Sequence, residues 1–391
     1  MSDVLKSKTA INLLEDLIAF STVSADPNMG LIEYCADILN GIGAETTIIA
    51  DETGKKANLY ATVGPKDIPG VLLSGHTDVV PVVGQDWNVP PFEMTRKDGK
   101  LYGRGTADMK GFVACALLAA KKAASMELAM PLHLAFSYDE EIGCVGVRSM
   151  IDLLSNAPFV PKFCIVGEPT LLKVATGHKG KTGCRATCVG VECHSALAPK
   201  GLNALYLATD LVAIIRDVQH EIEQSGPRDA DYEVPYSTLH AGRLNGGVAL
   251  NIVPNLATLD FEIRNLPDDD PEKILETIKS RANDLVRPLK AQFPAASIEI
   301  EIFNTYPAMK TAENSDVVNF VKSLTRNNDT FKVAFGTEGG LFSSQLGIPT
   351  VICGPGSMDQ GHKPDEFIEI DQMNQCDAML DRLVERLRTG F

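Results

Sequence analysis

The chain has 391 residues, 45% of them hydrophobic and 6% aromatic, enough apolar material for two or three domains at roughly 150 residues each and too much for a mainly disordered chain. Its net charge of −15, from 36 basic and 51 acidic residues, argues against nucleic acid or an anionic membrane as the main partner, since both need a basic surface. Mean hydropathy is near zero, and the longest apolar run, 112–120, stops at Lys121 and Lys122, far short of a bilayer span.

Along the chain, helical periodicity covers 8–20 and 29–41. Short apolar runs at 70–74, 132–138 and 163–166 read as buried strands, with a long Ala-rich helix at 111–126 between the first two. Such runs separated by helices predict an α/β domain with a mixed, largely parallel sheet. Near Gly183 the pattern changes. Strand 184–191, helix 203–223, strands 236–242 and 257–264, helix 271–289 and strand 297–303 follow in the order β-α-β-β-α-β, the split, ferredoxin-like arrangement. Helix 314–326, strand 350–353 and helix 371–388 then resume the first pattern. The expected architecture is one discontinuous α/β domain (1–182 and 304–391) with a second domain (183–303) inserted. Nine cysteines at irregular spacings do not form a secreted disulfide framework. The opening segment MSDVLKSKTAINLLEDLIAF lacks the apolar centre of a signal peptide and reads as an amphipathic helix. The expected setting is the cytoplasm.

Chemistry-bearing residues gather where predicted strands end. LLSGHTD presents His76 and Asp78 just beyond a buried run, where open α/β sheets bind ligands. Asp78 is placed to take the second ring N–H of His76; a turn histidine beside a capping aspartate fits as well. GRGTADMKG puts Asp108 just ahead of the Ala-rich helix, as an N-cap or as a bridging metal ligand. Three successive acids, Asp139, Glu140 and Glu141, follow the next strand. They are harmless if solvated, but costly beside His76 without a cation, and repulsion there would raise one carboxylate pKa to suit a general base. Glu168 follows a third buried strand, and His362 follows 350–353 after a glycine-rich turn. Two imidazoles and several carboxylates without cysteine suit zinc, cobalt or manganese. A pair of such ions about 3.5–4 Å apart is a known hydrolytic arrangement.

At these residues the chain resembles the dizinc aminoacylase and succinyl-diaminopimelate desuccinylase family of metallopeptidases. The motifs SGHTDVVP (74–81), GRGTADMKG (103–111), DEEIGCVG (139–146), VGEPT (166–170), HSALAPKGLNA (194–204), GGVALNIVP (246–254), GTEGGLF (336–342) and GPGSMDQGHKPDEF (354–367) match it in order. The resemblance implies that His76 and Glu168 bind one metal, that Glu141 and His362 bind the other, and that Asp108 bridges them through a segment whose bond to Met109 is often cis. It implies two divalent ions per subunit, Zn2+ foremost and Co2+ as the other candidate. Asp78 would orient His76, and Glu140 would be the general base and then the general acid.

The inserted domain resembles the family's lid and dimerisation domain, which implies a homodimer. His194 matches a histidine that stabilises the oxyanion in the partner's site. Asn251 and Arg264 match positions that contact the substrate carboxylate, Arg264 having a surface ion pair as its plainer reading. Gly336 and Thr337 match a backbone-and-hydroxyl clamp. Glu338 is assigned to a substrate ammonium on charge alone. GTEGGLF and the HKPDEF ending point within the family to removal of the acetyl group from N2-acetyl-L-ornithine, a step of arginine biosynthesis. Alternatives are another N-acyl amino acid, as in succinyl-diaminopimelate desuccinylase or aminoacylase, or a family scaffold without activity. Cys193 departs from the small residue usual before the histidine. Cys184, Cys188 and Cys193 beside His194 invite a structural zinc, but strand parity puts Cys193 opposite the other two, and buried thiols are the expectation.

Overall fold

A computed structural model of the chain describes residues 8–390; the first seven residues of the predicted opening helix lie outside them. The fold divides into two compact units: one built from residues up to Gly177, Met309–Lys332 and Thr337 onward, the other from His178–Ala308 and Val333–Gly336.

The first unit is organised by a nine-stranded sheet. Its order is Glu45–Ala50, Ala57–Val63, Leu132–Ser137, Val71–His76, Phe163–Pro169, Thr350–Gly354, Val174–His178 and Met309–Lys310, with Thr330–Val333 paired to Val174–His178. The four central strands, from Leu132–Ser137 to Thr350–Gly354, run parallel to one another. Antiparallel pairs flank them on both sides. The central strands are buried at every position, as expected where helices cover both faces of a parallel sheet. Helix Gly111–Ala124 is apolar nearly all round because it packs inside this core, which also takes in the buried faces of helices Ala10–Ile18, Met29–Gly41 and Ile370–Thr389. One close approach fixes that helix against the sheet. A Cβ added at Gly167 would lie 2.0 Å from ring carbons of Phe112. Gly167→Ala is therefore expected to lower stability by about 1–3 kcal/mol or more, read as a shift of the denaturant midpoint.

The second unit follows the β-α-β-β-α-β order. Its four-stranded antiparallel sheet runs Thr238–Gly246, Leu256–Arg264, Lys181–Val189, Ser297–Tyr306. Helices Ala204–Ser225 and Pro271–Val286 supply the apolar faces that meet it. Cys184, Ala186 and Cys188 point into this core while Arg185 faces out, a period-two pattern.

The elements differ from the sequence reading in places. Strands Glu45–Ala50 and Ala57–Val63 and helices Val147–Ser155 and Gly339–Leu346 were not anticipated. The third expected strand extends through Glu168 to Pro169, so Glu168 belongs to the strand itself. His178 ends strand Val174–His178, and Lys179 is buried, its Nζ donating to the Tyr236 carbonyl at 2.6 Å. No described helix is long and apolar enough to cross a membrane.

Candidate metal centre

The parallel arrangement brings four strand ends to one edge of the sheet. His76 is the last residue of Val71–His76, and it pairs in register with Ser137 at the end of the adjacent strand. Glu140 and Glu141 follow within a few residues. Glu168 lies near the end of Phe163–Pro169, and the loop beyond Thr350–Gly354 leads to His362. Asp108 comes from the kinked turn Thr106–Lys110 that precedes the buried helix, and its bond to Met109 is cis. The N-cap of that helix is Lys110, so Asp108 is not a capping residue.

Asp108 stands between the two imidazoles. Its Oδ1 is 3.1 Å from His76 Nε2, and its Oδ2 is 3.2 Å from His362 Nε2. Glu168 Oε1 lies 3.8 Å from His76 Nε2, and Glu141 Oε2 lies 3.0 Å from His362 Nε2. Two triads result, His76–Asp108–Glu168 and Asp108–Glu141–His362, each offering ligand atoms within 4.8 Å of one another. They share Asp108. No triad among the described residues includes the cysteines around His194, and Cys184 and Cys188 are buried thiols.

Electrostatics makes the cluster unfavourable without cations. Burial pushes the Glu168 carboxyl well above the ordinary range, and Asp108 adds to the effect. Burial, then Asp108, raises Glu141 to about 7. Burial opposes ionisation of Asp108, yet its bonds to His362 and His76 hold its carboxyl well below the usual range. Bonds to Asp108 and Glu141 raise His362 to about 10. Glu141 Oε1 is buried without a hydrogen-bond partner, as expected of an atom whose natural partner is an ion. Nitrogen and carboxylate donors without sulfur fit two divalent ions of the zinc, cobalt or manganese kind.

His76 Nδ1 donates to the main-chain carbonyl of Asp78 at 2.9 Å, which fixes the tautomer and leaves Nε2 free as a metal ligand. The expectation that the Asp78 carboxylate takes this proton is corrected: its nearest oxygen is 3.6 Å away. That carboxylate instead accepts Ser24 Oγ at 2.6 Å and the amides of Glu140 and Glu141 at 3.1 and 3.3 Å. It therefore orients the acidic turn. The three successive acids also part company. Asp139 turns back to form an ion pair with Lys56 and accepts the Ala25 amide, leaving Glu140 and Glu141 at the centre. Ser24 and Lys56 carry no signal in the sequence, because nothing local ties them to segments so far along the chain.

Glu140 is buried and raised to about 8, mainly by burial, with Glu141 adding and His76 opposing. Glu338 is also buried beside the strand ends, its Oε2 accepting Ser74 Oγ at 3.1 Å, and burial raises it to about 6. Thr337 is buried, and its Oγ1 accepts the Gly339 amide. His194, Asn251, Arg264 and Gly336 belong to the second unit. There His194 pairs with Ile252 in an isolated bridge, and the Ser195 amide donates to the Asn251 carbonyl, so the exposed His194 and Asn251 side chains come from adjoining segments. Arg264 bonds Glu262 at 3.0 Å and the Tyr306 hydroxyl at 2.9 Å, and Tyr306 crowds the space beside Gly336.

The parallel sheet with its paired His–carboxylate triads is a centre built to hold two divalent ions. The sequence profile of peptidase family M20/M25/M40 matches residues 72–386, and the chain belongs to that family. It is 33% identical to an acetylornithine deacetylase of Pasteurella multocida (strain Pm70), over 98% of this chain and all of that one. An acetylornithine deacetylase of Myxococcus xanthus is 32% identical over the full length of both chains. Among solved structures, the M20 family metallo-carboxypeptidase Sso-CP2 from Sulfolobus solfataricus shares the fold with a TM-score of 0.80, at 20% identity over 98% of this chain and 100% of that one.

Proposed function

We propose that the protein removes the acetyl group from N2-acetyl-L-ornithine, giving L-ornithine and acetate. The observation that carries the hydrolytic reading is the pair of triads sharing Asp108, with Glu140 buried beside them. The choice of substrate is supported by relatives named acetylornithine deacetylase that align over nearly the whole of both chains. His76, Glu168, Asp108, Glu141 and His362 would hold two divalent ions, zinc or cobalt. Ions there would polarise the amide carbonyl and make a water acidic near neutral pH.

The chain's own groups supply the rest. Glu140, buried beside the two triads and belonging to neither, is placed to take a proton from the attacking water and pass it to the leaving amine. Asp78 fixes the backbone of that residue through its amide. His194 Nδ1 accepts the Ala196 amide at 3.1 Å, which leaves the ring proton on Nε2, where it can donate to an oxyanion. In the homodimer proposed here, His194 of the partner subunit makes that donation. Arg264 and Asn251 are assigned to the substrate carboxylate.

Two measurements test this reading. Hydrolysis rates across N2-acetylornithine, other N-acetyl amino acids and N-succinyl-diaminopimelate are expected to favour the first; a higher kcat/KM for the succinyl compound makes the protein a desuccinylase. His194→Ala is expected to keep its fold and lose about 10²–10³ in kcat, the usual cost of one oxyanion donor. An unchanged kcat removes His194 from the reaction.

A further inference from the structure

The turn carrying Asp108 and the loop carrying His362 are joined by a buried ion pair outside the two triads. Glu366 is 1% exposed and receives four donors. Its Oε1 accepts the amides of Ala107 at 2.9 Å and Asp108 at 3.1 Å. Its Oε2 accepts the amide of Gly105 at 3.1 Å and Arg104 Nη1 at 2.7 Å. Three of these donors are main-chain groups of the turn that presents Asp108. They precede the buried helix and have no helical acceptor, so a carboxylate serves them as a cap serves a helix start.

Arg104, equally buried, carries the connection to the other ligand. Its Nη1 also reaches the Lys363 carbonyl at 3.2 Å, and its Nη2 donates to Gln85 Oε1 at 2.6 Å. Gln85 Nε2 in turn donates to the carbonyl of His362 at 2.9 Å. The guanidinium lies 5.0 Å from the Trp87 ring centroid, and Trp87 Nε1 donates to the same Gln85 oxygen. His362 needs such support. Its side chain is half-exposed and its φ is +61°, a left-handed conformation uncommon in residues with a side chain.

We propose that Glu366 and Arg104 are positioning residues that lock Asp108 and His362 into one rigid pair and thereby set the affinity of the Asp108–Glu141–His362 half-site. The proposal rests on the ligand assignment above. The other half-site depends less on the pair, because His76 and Glu168 sit on buried strands of the sheet. Glu366→Gln keeps the shape but puts an amide N–H₂ against two N–H donors, whichever way the side chain turns. Arg104→Lys keeps the charge but cannot span Glu366, Lys363 and Gln85 together.

The test is cobalt titration of the full-length, metal-stripped protein and of the Glu366→Gln, Arg104→Lys and Gln85→Ala variants. It is followed by visible absorbance and calorimetry, with thermal unfolding of each metal-free form alongside. Wild type is expected to take up two equivalents. Glu366→Gln and Arg104→Lys should bind one equivalent as wild type does and the second about 10–100-fold more weakly, the usual cost of losing a partner behind a metal ligand. Gln85→Ala, at a half-exposed position, should weaken the same equivalent by less. Should Glu366→Gln not fold, the other two variants carry the decision. Two equivalents bound with wild-type affinity overturn the proposal, and so does a lowered metal-free midpoint with both equivalents weakened alike, which marks a merely structural role. A wild type that binds no metal overturns the ligand assignment instead.

Discussion

Glu140→Gln is expected to lose about 10²–10⁴-fold in kcat while still binding both metals. The substitution keeps the side chain's size and removes only its capacity to hold and release a proton. Neither triad includes Glu140, so metal content should stay as in wild type. The backbone is held independently, through the Asp78 carboxylate on the Glu140 amide, so the turn should not move. Acetate release and metal content measured on the same sample check this. Turnover above a tenth of wild type would take the proton-transfer role away from Glu140. Loss of metal together with turnover would make it a ligand.

The second large effect concerns metal removal. Chelation is expected to cost more stability at pH 9 than at pH 6. In the stripped protein Glu141 titrates near 7, Glu140 near 8 and His362 near 10, against ordinary values of 4.5, 4.5 and 6.5. Each is raised, so each lends the folded state stability that is complete below its unfolded pKa and disappears as pH rises through its folded one. Bound cations take the place of those protons, and the loss does not occur. The gap between loaded and stripped unfolding midpoints should therefore widen by several degrees between pH 6 and pH 9, each kcal/mol moving the midpoint by about 2–4 °C in domains of 150–250 residues. A gap that stays constant or narrows would mean that these groups are not linked to the metals.

Much of the site was legible because His76, Glu141, Glu168 and His362 each follow an apolar run, while Asp108 stands just ahead of one. His76 ends VLLSGH and Glu168 sits in FCIVGEP, and a polar residue closing a buried parallel strand has few places to go except the sheet's edge. The strand Glu45–Ala50 was not legible, since it is an edge strand with much of its surface exposed and no continuous apolar run. The direction of the Asp78 carboxylate was not legible either. Sequence spacing put it beside His76, but the strand stops at His76, the period of two ends there, and the main-chain carbonyl makes the contact instead. Contacts such as Lys56 with Asp139 and Arg104 with Glu366 join segments far apart in number. Only the fold can select them from the many opposite charges available.

The parallel pairing of Thr350–Gly354 with Phe163–Pro169 has a consequence for biosynthesis. The ribosome makes the second unit between these two strands, so Phe163–Pro169 emerges long before the neighbour that covers one side of it. During that interval an apolar strand edge, Phe163-Cys164-Ile165-Val166, stands open to pairing with other nascent chains. A chaperone holding that edge, or slow supply of the last segment, would decide how much of the product reaches its native form.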